Sequence, residues 1–89
     1  MPKIVVTHNV VDVEKWLQFR SERADAIAAL GGRNVVDHVA QDGGNTVAVA
    51  TEVDDAAGLI AVLSSPPPEV GALMESHGVV PPLAIYVEQ

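Results

Sequence analysis

The hydrophobic pattern of this chain alternates between strand-like and helical periods. Ile4, Val5 and Val6 are consecutive β-formers. They predict a first strand over residues 3–9 with apolar side chains on both faces. His8 shares a face with Ile4 and Val6, and Asn9 shares the other with Val5 and Thr7. Asp12 is placed to cap a helix, with Val11 and Trp16 in the positions of a hydrophobic staple. Val13, Trp16, Leu17, Ala24, Ile27, Ala28 and Leu30 then recur at helical spacing. This predicts one helix over 13–30, ended by Gly31, with Gly32 loosening the exit.

Residues 34–41 read as a second strand, and Asp42-Gly43-Gly44-Asn45 as the turn that returns it. The third strand, 46–53, places Val47, Val49, Thr51 and Val53 on one face and Ala48, Ala50 and Glu52 on the other. The small residues of that second face predict either close approach by helices or room for a ligand. Asp54 or Asp55 caps a second helix containing Leu59, Ile60, Val62 and Leu63. It stops at Ser64-Ser65, because Pro66, Pro67 and Pro68 cannot continue a helical ladder. Pro68 can open a further short segment with Val70, Leu73 and Met74 on its apolar side, ended by Gly78 just after His77. Pro81 and Pro82 lead into a last strand over 83–88.

The element order is therefore βαββαβ within a single domain spanning 1–89. It predicts an α+β, ferredoxin-like fold: a four-stranded antiparallel sheet with both helices on one face. Right-handed crossovers place the first and third strands in the centre. Two helices cover one sheet face only. The other face is also largely apolar, so it predicts a homodimer formed by sheet-to-sheet pairing.

Composition sharpens this picture. Hydrophobic residues make up 48% of the 89 residues and aromatics only 3%, so the core is built from aliphatic side chains. Absence of cysteine removes disulfides and thiolate metal sites as sources of stability, leaving oligomerisation. Five basic against twelve acidic residues give a net charge of −7, which argues against nucleic-acid and anionic-membrane partners. Lys15, Arg20, Arg23 and Arg33 lie in or beside the first helix and read chiefly as a solvated face, with a local anion site as the alternative. No apolar run approaches the ~20 residues of a membrane span, and no leader-like segment opens the chain. A soluble, cytoplasmic protein is expected.

The strand ending in His8, followed by Asp12, Trp16 and Phe19, resembles the dimeric α/β-barrel superfamily. So do the helix broken at Ser65-Pro66 and the Gly78-Val79-Val80-Pro81-Pro82 approach to the last strand. Within it the chain is most similar to short bacterial proteins, some labelled cyclases or likened to antibiotic biosynthesis monooxygenases. The superfamily includes cofactor-independent monooxygenases, polyketide cyclases, haem-degrading enzymes, lactone isomerases and ligand-sensing domains. The resemblance therefore implies a fold, a dimer and a pocket between sheet and helices, but no single reaction. Haem-degrading members use an Asn, a Trp and a His. Asn9, Trp16 and His77 are those residue types, yet Trp16 is on the first helix rather than the second, so the set does not transfer.

His8 is the leading candidate for chemistry, as a general base or acid at the end of an apolar strand; a buried His satisfied by the backbone is the competing reading. His77, in a last helical turn, is a cap or a second catalytic His. Asn9, Trp16 and Tyr86 are candidate ligand-binding residues, although Trp16 is equally explained as a core anchor. The histidines show no metal-ligand spacing, no serine lies in a nucleophile turn, and the glycine pairs form no phosphate loop. No metal and no cofactor are expected. Three functional readings follow. The first is a homodimer binding a mostly apolar metabolite in a pocket. The second is a cofactor-independent monooxygenase or cyclase acting on an aromatic or polyketide-like substrate, with His8 as base. The third is a structural dimer without a ligand.

Overall fold

The computed structural model describes residues 2–89 and shows a four-stranded antiparallel sheet in the order β2-β3-β1-β4. In chain order the elements are β1 (Lys3–Val10), α1 (Val13–Gln18), α2 (Arg20–Ala29), β2 (Gly32–Val39), β3 (Thr46–Val53), α3 (Ala56–Ser64), α4 (Pro68–Ser76) and β4 (Val79–Val87). This is the ferredoxin-like arrangement, with the first and third strands central as expected.

Both helical regions are two segments, the second divided at the prolines as expected. Asp12 caps α1 by accepting from the Lys15 N–H at 3.2 Å; Trp16 is fully buried, whereas Val11 is 73% exposed. The helix expected to be continuous over 13–30 breaks at Phe19. There the Trp16 carbonyl accepts from the Phe19 N–H (3.2 Å) and from Arg23 Nη1 (3.1 Å), which ends the first ladder. On the other side of the sheet sequence, Asp55 caps α3 through the Gly58 N–H, and Pro68 opens α4 as expected.

Two strands begin earlier than the hydrophobic pattern indicates. β2 starts at Gly32, opposite Val53, and a bulge between Arg33 and Val36 carries Asn34 at φ 52°. Gly32 belongs to the sheet because nothing larger fits: a Cβ there would lie 2.3 Å from Ile27 Cγ2 and 2.7 Å from Thr51 Oγ1. β4 starts at Val79, ahead of Pro81 and Pro82, and its pairing with β1 shifts between Thr7 and Asn9. As an edge strand it loses little by lacking two backbone donors.

Side-chain alternation assigns the two faces. Ile4, His8 and Val10 of β1 and Val47, Val49, Thr51 and Val53 of β3 are buried on the helix side. Ala48 and Ala50 therefore lie on the open face, not beneath the helices. The core forms two clusters. Val10, Trp16, Val47 and Val49 pack with Val13, Leu17, Ile27 and Val35. Ile4, Val53 and Leu59 pack with Val6, Leu30, Ile60, Leu63 and Ile85.

Candidate functional site

Between these two clusters, sheet and helices enclose a cavity of about 420 Å³. The sheet contributes Val6, His8, Val49 and Thr51, while α2 contributes Arg23, Ala26, Ile27 and Leu30. Leu63 of α3 and Val70, Leu73 and Met74 of α4 close it from above. None of the residues of α4 is fully buried, so this helix roofs the cavity rather than filling it.

His8 enters from the sheet and is 8% exposed. Its Nδ1 lies 3.0 Å from the Asn9 carbonyl oxygen. A carbonyl only accepts, so Nδ1 carries the hydrogen and neutral His8 keeps its unshared pair on Nε2. Burial pushes the His8 pKa down from 6.5. The hydrogen bond to Asn9 opposes that shift, and the nearby Arg23 charge adds to it. His8 is thus an uncharged acceptor at neutral pH.

Trp16 forms the neighbouring wall, its ring 6.2 Å from His8 and nearly perpendicular to it. Arg23 lies over the indole with its guanidinium carbon 3.8 Å from a ring centroid. It binds Asp37 through both carboxylate oxygens, at 2.9 and 3.1 Å. Arg23 is 7% exposed, which corrects the solvated-face reading for this residue alone; Lys15, Arg20 and Arg33 are exposed. The Trp16 indole N–H is the one buried side-chain nitrogen or oxygen without a partner among the described residues.

His77, 3% exposed, comes to the same cavity from the end of α4. Its Nε2 is 3.2 Å from Glu22 Oε2, and its ring stacks on Phe19 at 4.5 Å and 13°. The break at Phe19 presents both Phe19 and Glu22 to His77. Arg23 is marked in the sequence only as one of four basic residues in or beside the first helix, and nothing in the local pattern marks Glu22.

The structure therefore brings His8, Trp16 and His77 to one cavity and leaves Asn9 and Tyr86 outside it. Asn9 points to the opposite sheet face, where its Oδ1 accepts from Thr46 Oγ1 at 2.7 Å. Tyr86, paired with Val5 on β1, is 59% exposed on that same open face. Strand parity separates them from His8. Among the described residues no group of three or more His, Asp or Glu could hold a metal ion, and no helix is long and apolar enough to cross a membrane.

No protein-family model matches the chain, and no curated protein does. Solved structures do match over almost its whole length. The cofactor-independent oxygenase SnoaB from Streptomyces nogalater is 12% identical, with a TM-score of 0.66 over 99% of this chain and 90% of that one. A structure described as an antibiotic biosynthesis monooxygenase is 11% identical, with a TM-score of 0.65 over 100% of this chain and 97% of that one. A dimeric ferredoxin-like protein from an uncultured marine organism is 11% identical, with a TM-score of 0.57 over 98% of this chain and 91% of that one. At these identities the likeness is one of fold: the chain has the ferredoxin-like α+β fold found in antibiotic biosynthesis monooxygenase-like structures, including dimeric ones.

Proposed function

We propose that this protein is a homodimer that binds an uncharged, mostly apolar small molecule between its sheet and helices. The cavity carries this reading. Its volume of about 420 Å³ lies within the roughly 300–1,000 Å³ of small-molecule sites. Its walls are aliphatic apart from a few polar groups. Arg23 is the one basic side chain among them other than histidine, and Asp37 neutralises it. With His8 also uncharged, neither Arg23 nor His8 offers an anionic ligand an unpaired cation.

The open sheet face supports the dimer. Val36, Ala50, Val5 and Tyr86 form one row across the four strands, and His38, Ala48, Thr7 and Ala84 form the next. These are mostly small or apolar side chains, suited to close packing against a second sheet. The dimeric ferredoxin-like neighbour agrees with this assignment.

Mass spectrometry of the native protein tests the binding reading. A small apolar compound should co-purify, and Ala26→Phe, which fills the cavity, should displace it. Equal occupancy in Ala26→Phe would place the ligand elsewhere.

A second reading, cofactor-independent oxygenation or cyclisation of an aromatic or polyketide-like substrate, is favoured by one observation: the Asn9 carbonyl holds His8 in the tautomer whose Nε2 is free to take a proton. The described activity of SnoaB is consistent with it. Asn9 and Tyr86 cannot orient an oxyanion in their own subunit's cavity, because they lie across the sheet.

A further inference from the structure

We propose that His77, its ring positioned by Glu22, is a second proton-transfer group lining the cavity and exchanges a proton with a bound carbonyl compound on which His8 also acts. This rests on reading the cavity as a ligand site.

The tautomers carry the argument. A carboxylate only accepts, so the Glu22 contact at 3.2 Å requires hydrogen on His77 Nε2. Nδ1 is then the ring nitrogen left for chemistry. His8 has the reverse arrangement, with Nδ1 committed to the Asn9 carbonyl and Nε2 left over. Trp16 Nε1 is the sole buried, unpaired side-chain nitrogen or oxygen among the described residues. Neither His8 Nε2 nor His77 Nδ1 is a buried atom left without a partner among the described residues, and both rings line the one cavity. Phe19, stacked on His77 at 13°, fixes the plane of the imidazole. A carboxylate that sets the tautomer while an aromatic ring sets the plane prepares an imidazole for proton transfer. A helix cap needs neither, and the His77 backbone N–H already bonds the Leu73 carbonyl at 3.1 Å.

Two such groups move protons without any co-reactant. His8 Nε2 removes a proton from the carbon beside a ligand carbonyl. The C–H electron pair becomes the new C=C bond, and the carbonyl π pair moves to oxygen. His77, in its protonated form paired with Glu22, gives its Nδ1 proton to that oxygen. The enol leaves His8 protonated and His77 neutral, and reversal restores both. In D₂O the proton on His8 Nε2 exchanges with solvent before reversal, which then delivers deuterium to carbon.

The test uses 2-tetralone, an uncharged apolar ketone, as the probe. Its binding is followed by chemical-shift perturbation and its α-deuteration by proton NMR in D₂O. Wild-type protein should accelerate exchange, and His8→Gln should abolish the acceleration. His77→Gln and Glu22→Gln should each slow it by up to about 100-fold, the ordinary worth of a positioned acid or base, and tetralone should still bind the Glu22→Gln protein. Glu22 is a surface side chain, so Glu22→Gln keeps the test valid if His77→Gln fails to fold. Ring ¹⁵N shifts should also show His77 losing its Nε2–H preference in Glu22→Gln. Tetralone binding without exchange, or wild-type exchange in Glu22→Gln, overturns the proton-transfer assignment and leaves the binding site standing. Absence of binding overturns both.

Discussion

Asp37 holds the Arg23 guanidinium over the Trp16 indole: Nη2 is 2.9 Å from Asp37 Oδ2, and the guanidinium carbon is 3.8 Å from a ring centroid. Arg23 thereby links α2 to β2 and to α1, and its Nη1 also bonds the Trp16 carbonyl. The ion pair is the electrostatic floor of the cavity. It permits a cation to sit in an aliphatic wall without attracting an anionic ligand.

Removing one partner of this pair should be costly. With side chains only 9% and 4% exposed, Asp37→Ala leaves Arg23 buried and unpaired and should lose about 3 kcal/mol or more. Replacing both residues, Arg23→Met with Asp37→Leu, should recover much of that loss. Urea midpoints of the three proteins measure the effect, and an Asp37→Ala protein as stable as wild type would refute the buried-pair account.

His8 makes stability depend on pH in a defined direction. Burial lowers its pKa in the native state below 6.5, so the unfolded chain binds the proton more readily. The contribution of His8 is complete above about pH 6.5 and is lost as pH falls through that value toward the lower native pKa. His8→Gln should lose less stability than wild type between about pH 8 and about pH 5. Parallel losses in the two proteins would assign the slope to other groups.

The open face should tolerate no charge at its centre. Ala50 sits between Val36 and Val5 in the middle of the sheet. Ala50→Arg should convert a dimer into a folded monomer by placing an unpaired charge in the sheet-to-sheet contact. Sedimentation velocity decides it, and a wild-type protein that is already monomeric at micromolar concentration would remove the dimer from the proposal.

Gly32 should be intolerant of a single methyl group. A Cβ would collide with Ile27 Cγ2 and Thr51 Oγ1 and come within 3.2 Å of the Ile27 carbonyl oxygen. Gly32→Ala should cost about 2 kcal/mol through forced displacement of α2 from β2. Thermal melts of this variant beside Gly71→Ala, where an added Cβ meets nothing within 4 Å, provide the comparison. An unchanged midpoint for Gly32→Ala would mean that the helix-strand contact yields freely.

Much of the fold is legible in the residues because local chemistry determines it. Alternating valines mark β3, Asp12 and Asp55 mark helix starts, Pro68 opens α4, and Gly31, Gly43 and Gly78 adopt the positive φ values of 93°, 80° and 77° that their turns require. Strand parity also places His8 opposite Asn9. Parity is a relative property, however, and does not say which face the helices cover. Burial of the larger Val47, Val49 and Val53 beneath the helices put Ala48 and Ala50 outside, contrary to the expectation of a small-residue face lining a pocket.

The pairing of side chains from distant elements lies beyond local pattern. Arg23 and Asp37 look like surface charges in isolation, as do Glu22 and the helix-ending His77. Only the packing of α2 between β2 and α4 desolvates Arg23 and His77 and supplies each with a carboxylate. The sequence by itself determined the order of elements, their caps and the alternation of their faces, since these depend on neighbours within a turn or a strand. Tertiary structure alone decided the contents of the cavity, because burial and partner choice depend on contacts between segments far apart in the chain.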